Sequence, residues 1–122
     1  MKTLIVDDAS YMRLKLRELL EMNNCTVVGE AENGADAIVK YFELKPDFVT
    51  MDIIMPVMDG ITAIEKIIEK DPRANIVVVS SKGQKELILD AIKKGAKDYF
   101  VKPFQNEGLV VVINKMQRRV NR

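Results

Sequence analysis

Four short apolar runs in this chain end on residues that can do chemistry. Leu4, Ile5 and Val6 lead into Asp7 and Asp8, and Phe48, Val49 and Met51 lead into Asp52. Ile76–Val79 meets Ser80, and Tyr99, Phe100 and Val101 meet Lys102. Taken singly each is ordinary: a strand-end aspartate forms turns or caps, a serine caps a helix, and a lysine is usually solvated. Brought together they would be a site. Three crowded carboxylates repel one another and need a counter-charge. There is no histidine and only Cys25 as a thiol, so an all-oxygen set suits a hard divalent cation, Mg²⁺ first among them. Asp7 or Asp8 together with Asp52 would ligate it, with a loop carbonyl at Ile54. A carboxylate beside such a cation and the Lys102 ammonium can attack phosphorus and become an acyl phosphate. The cation and Lys102 would neutralise charge on the transferred group, and the Ser80 hydroxyl could hydrogen-bond one of its oxygens.

The pattern along the chain says whether these residues can meet. The runs before Asp7, Asp52, Ser80 and Lys102 are short and apolar, as strands buried on both faces should be. Thr26–Val28 adds a second strand, followed by a loop over 30–34. Between the strands, apolar residues recur at helical spacing. Met12, Leu16, Leu19 and Leu20 predict a helix over 10–22 with Ser10 as its cap. Ala37, Ile38, Tyr41 and Phe42 give the second helix, stopped before Pro46. Pro56 and Asp59–Gly60 mark a loop, after which Ile61, Ile64, Ile67 and Ile68 share one face of the third. Ile88, Ala91 and Ile92 mark the inner face of the fourth, with Gly95 at its C-terminus. Leu109, Val112, Ile113 and Met116 face inward on the fifth, from about 106 to 119. Five β-α repeats predict a doubly wound α/β domain over 1–122, a parallel five-stranded sheet in the order 2-1-3-4-5, flavodoxin-like. In that topology all strand C-termini line one edge, and the order reverses between the first and third strands, where Asp7, Asp8 and Asp52 end.

Composition removes several classes. Hydrophobic residues are 48% and charged residues 30%, with net charge +1, so no global field points to nucleic acid or an anionic membrane. No run approaches the length of a membrane span, and a lone cysteine fits a reducing, cytoplasmic setting. The absence of histidine rules out histidine-based triads and phosphohistidine carriers within the chain.

Ile5-Val6-Asp7-Asp8, Met51-Asp52-Ile53-Ile54-Met55-Pro56 with Asp59–Gly60, Val79–Ser80, and Val101-Lys102-Pro103-Phe104 together resemble a response-regulator receiver domain over essentially the whole chain, and within that family the stand-alone chemotaxis regulators. The resemblance implies that Asp52 accepts a phosphoryl group from a histidine kinase with Mg²⁺ on Asp7 and Asp8. It gives Lys102 the place of the motif lysine, Ser80 that of the switch hydroxyl and Tyr99 that of the rotating aromatic. It also implies a cis bond before Pro103. Ser81 replaces the more usual Ala, and Ile54 and Lys82 occupy positions that tune dephosphorylation.

The implied switch would remodel the fourth helix, fifth strand and fifth helix for an output protein, with the flagellar motor switch as a candidate. Leu87, Leu89, Val110 and Val111 fall off the inward stripes there, beside Lys82, Lys85, Lys93 and Lys94. Lys115, Arg118, Arg119 and Arg122 would complement a helix C-terminus. Neither direct nucleic-acid nor membrane contact is expected, and the state would be monomer or weak dimer. Three alternatives differ in kind. A receiver cut from a larger regulator would serve a DNA-binding or enzymatic output. A metal-dependent phosphatase with an Asp nucleophile would carry D-x-D after the first strand, where this chain has Asp7–Asp8. A flavodoxin-like electron carrier would carry a Gly- and Ser-rich phosphate loop in place of Asp7-Asp8-Ala9-Ser10.

Overall fold

The computed structural model describes residues 1–122. Strands and helices alternate: β1 (Lys2–Val6), α1 (Ser10–Met22), β2 (Thr26–Ala31), α2 (Gly34–Leu44), β3 (Phe48–Asp52), α3 (Gly60–Lys70), β4 (Ile76–Ser80), α4 (Lys85–Lys94), β5 (Asp98–Val101) and α5 (Asn106–Val120). All five strands are parallel in the order β2-β1-β3-β4-β5. The five apolar residues Leu109–Ile113 lie within α5, as the need to cover the sheet requires.

Period-2 alternation divides the strands between two cores. Leu4, Val6, Val49, Met51, Ile76 and Val78 point toward α2, α3 and α4, where Ala37, Ile64, Ile67 and Ala91 meet them. Ile5, Phe48, Val77, Val79 and Phe100 point to the opposite face, against Leu16 and Leu20 of α1 and Leu109, Val112 and Met116 of α5. Each fully buried Leu, Ile or Phe contributes roughly 1.5–3 kcal/mol, so the sheet is held from both sides.

Local chemistry sets the element boundaries, with some departures from expectation. Asn33 and Asp59 cap α2 and α3, accepting from the Asp36 and Thr62 amides. Ser10 does not cap α1: Ala9 is the cap residue, and the Asp7 carboxylate takes the Ala9 amide. β2 runs on to Ala31, through the expected loop at 30–31, because β1 supplies backbone partners up to Val6↔Ala31. Ile92 is exposed, leaving Ala91 as the fully buried residue of α4. Leu89 and Val111 are exposed as expected, whereas Leu87 packs half-buried against the α2–α4 core. Lys115 pairs with Asp98 at 3.3 Å, and Arg119 Nε donates to Asn75 Oδ1 at 2.9 Å, so these two do more than face a helix end. No helix is long and apolar enough to cross a membrane.

Candidate functional site

The C-terminal ends of β1, β3, β4 and β5 meet on one edge of the sheet. Asp7 follows β1 directly, and its amide still donates to Ala31 of β2. Asp52 is the last residue of β3, in register with Val79, the residue before Ser80. Lys102 follows β5, its amide bonded to the Ser80 carbonyl at 2.7 Å. Phe104, just beyond the cis Lys102–Pro103 bond, packs edge-on against Phe100 with ring centroids 5.1 Å apart, anchoring the segment that carries the lysine.

Carboxylate oxygens of Asp7, Asp8 and Asp52 lie within 4.8 Å of one another. Asp7 and Asp52 are buried, and Asp8 is open to solvent. The Lys102 ammonium donates to Asp7 Oδ2 at 3.1 Å and stands 3.6 Å from Asp52 Oδ1. The ground-state partner of this lysine is therefore Asp7 first and Asp52 second. Burial, and next the Asp7 carboxylate, push Asp52 up to about 6, against the opposing pull of Lys102 and the Ile53 amide. Burial also opposes the charge on Lys102, but Asp52 and Asp7 together outweigh it and hold the ammonium above its ordinary range.

An all-carboxylate set at this separation, with one member open to solvent, fits a small hard cation that keeps several waters. It offers nothing to a metal preferring nitrogen or sulfur. Ile54 lies two residues past Asp52 in the turn before α3, its side chain exposed. Its carbonyl is not taken up by any hydrogen bond within the protein. Ser80 is fully buried, and its hydroxyl has no hydrogen-bond partner. Such an orphaned group costs about 1–3 kcal/mol and awaits an acceptor. Tyr99 is 48% exposed on the outer side of β5, and Lys82 is exposed after β4.

Three contributors carry no local sequence signal. Gly60 lets α3 approach the back of Asp52: a Cβ there would fall 2.0 Å from the Asp52 carbonyl oxygen. Val57, in the same turn, holds the left-handed φ of 68° that a β-branched side chain disfavours. Arg13 reaches back from α1 to the Asp7 carbonyl. The dipeptide Asp59–Gly60 predicts a turn, but the close approach behind it exists only in three dimensions.

Fold and pocket define a class: a doubly wound parallel domain with three clustered carboxylates and a lysine at its switch point. The family model for the response regulator receiver domain matches residues 3–114, and the chain belongs to this family of two-component signalling switches. In particular it is homologous to the CheY chemotaxis response regulators. It is 50% identical to the chemotaxis protein CheY of Thermotoga maritima, over 96% of this chain and 98% of that protein. To CheY of Bacillus subtilis it is 52% identical, over 93% of this chain and 95% of that one. Among solved structures, a chain in the CheX-CheY-BeF3-Mg complex from Borrelia burgdorferi superposes with a TM-score of 0.91 at 32% identity, covering 96% of this chain and 89% of that one. The phosphatase and electron-carrier alternatives are not favoured by these relationships.

Proposed function

We propose that residues 1–122 act as one receiver unit, that Asp52 is its phosphoacceptor, and that it serves chemotaxis as the CheY proteins do. A histidine kinase presents phosphohistidine at the pocket. An Asp52 oxygen bonds to phosphorus as the N–P bond breaks, and imidazole leaves. Asp7, Asp8, Asp52 and the Ile54 carbonyl provide the hard oxygen donors that Mg²⁺ takes. When bound, the ion neutralises charge on the phosphoryl oxygens. Lys102 shifts from Asp7 toward the new group and supplies a second positive charge. Water attack at the same phosphorus returns the carboxylate, so the protein phosphorylates and dephosphorylates itself but turns over no other substrate.

The observation that carries this reading is the convergence of Asp7, Asp8, Asp52 and Lys102 from three strand ends. The orphaned Ser80 hydroxyl supports the switch. A phosphoryl oxygen accepts its hydrogen bond, Ser80 and the loop after β4 move inward, and Tyr99 turns into the vacated space. That motion alters the face formed by α4, β5 and α5, where Leu89, Ile92 and Val111 are exposed. An output protein, with the flagellar motor switch as the leading candidate, reads this face from the cytoplasm.

The test is phosphorylation by acetyl phosphate with Mg²⁺. Intact-protein mass spectrometry should show a gain of one phosphoryl group, absent when EDTA is present from the start and absent in Asp52→Ala. Labelling that persists in Asp52→Ala would assign the acceptor elsewhere.

A further inference from the structure

The peptide bond joining Asp7 to Asp8 sits just past the end of the β1 ladder. The Asp7 amide is still held by Ala31 of β2, but its carbonyl has left the sheet. That carbonyl accepts from Arg13 Nη1 at 2.7 Å. The same guanidinium donates through Nε to Glu30 Oε1 at 2.8 Å, and its other terminal nitrogen stands 3.5 Å from Glu32. Arg13 is largely buried, with 12% of its side chain exposed. Arg17 occupies the second Glu30 oxygen at 2.6 Å, and Lys40 bonds the Glu30 carbonyl. Glu30 is thus fixed from α1 and α2, and it braces the guanidinium that reaches the Asp7 carbonyl. Its carboxyl is held below the usual range, chiefly by the Arg17 hydrogen bond.

The rest of Asp7 is equally committed. Oδ1 accepts from the Ala9 amide at 2.9 Å and Oδ2 from Lys102 at 3.1 Å. Asp8 is different: its side chain is exposed and makes no hydrogen bond or ion pair with the protein. Only the backbone aims it, and that backbone turns on the Asp7–Asp8 peptide plane. The Ala9 amide on Asp7 Oδ1 brackets this turn, and the carbonyl of the plane itself is clamped by Arg13.

We infer that Arg13, braced by Glu30, is a positioning residue that aims Asp8 into the acid pocket and so sets its affinity for Mg²⁺. The inference rests on the metal reading above. Groups that orient metal ligands from outside are typically worth 10–100-fold in affinity when removed. Arg13 acts on a backbone carbonyl rather than on a ligand side chain, so the lower end applies.

Arg17 supplies the control, because it pairs with the same Glu30 but does not touch Asp7. Mg²⁺ titration by calorimetry on the whole protein should give about tenfold weaker binding for Arg13→Gln. Glu30→Gln should weaken binding less. The double variant should be no weaker than Arg13→Gln alone, because Glu30 acts through Arg13. Arg13→Lys should recover part of the loss, since an ammonium can satisfy the carbonyl but not both partners. Arg17→Gln should stay within twofold of the parent even if its melting temperature falls as far. Amide NMR spectra of Arg13→Gln should change at Asp8 and Ala9 with the remaining sheet peaks in place. Equal Mg²⁺ affinity in Arg13→Gln and the parent would overturn the inference, as would equal losses in Arg13→Gln and Arg17→Gln. A parent protein that binds no Mg²⁺ would instead bring down the metal reading itself.

Discussion

Asp52 is a carboxylate whose ionisation works against the fold. Its value in the folded chain, about 6, lies above the ordinary 3.8. The folded state therefore binds this proton more tightly than the unfolded one, and stability falls as pH rises from about 4 through 6. Asp52→Asn removes the ionisation while keeping the shape. In EDTA at pH 7.5 its melting temperature should exceed the parent's by several degrees, from roughly 1–2 kcal/mol, and the gain should vanish near pH 4. Differential scanning calorimetry at the two pH values tests this. Val57 presents a second residue-scale cost. It is 85% exposed and has a left-handed backbone, so its side chain contributes little packing while its conformation is strained. Relief of about 1–2 kcal/mol by glycine is partly offset by about 0.5–1 kcal/mol of extra unfolded-state entropy. Val57→Gly should thus raise stability by roughly 0.5–1 kcal/mol in urea denaturation, provided the turn is preserved.

Among the elements, β4 and the segment after it would carry the proposed response. Ser80 is buried, unpartnered and in register with Val101 of β5, so in the proposed switch its movement would pass toward Tyr99 through adjacent strands. Ser80→Ala removes the hydroxyl without removing the acceptor. The variant should still take phosphate on Asp52, while the Tyr99 environment, followed by ring NMR signals, should respond far less to phosphorylation than in the parent. An unaltered response would remove Ser80 from the mechanism. The strands and their order were legible because both-face burial gives continuous apolar runs, and β-α alternation leaves few topologies. Asp7, Asp8, Asp52, Ser80 and Lys102 were legible for the same reason, as residues ending those runs. The capping of α1 was not, because Ser10 and Ala9 differ by one position and the Asp7 carboxylate decided between them. Ile92 kept helical spacing yet lies outside, because α4 buries only a narrow strip around Ala91. The Arg13–Asp7 contact and the tight passage at Gly60 join distant backbone atoms, which no local periodicity encodes.

At the scale of the whole molecule, α1 and α5 cover one face of the sheet and α2, α3 and α4 the other. All the reactive side chains stand where the strands end. The opposite edge is tied by contacts that do not involve the pocket, such as the Tyr41 hydroxyl donating to Asp71 at 2.6 Å and the Asp47 carboxylate on the Lys2 amide at 2.7 Å. Pro72 and Arg73 are exposed in the connection from α3 to β4 on that far edge. Spacing the chain apart there costs little, because closure entropy grows only slowly with loop length. An eight-residue Gly-Ser insert between Pro72 and Arg73 should lower the melting temperature modestly and leave acetyl phosphate labelling within twofold of the parent. Polar separation of this kind makes the domain a modular part: foreign sequence can be grafted at one end while the chemical end keeps its own calibration.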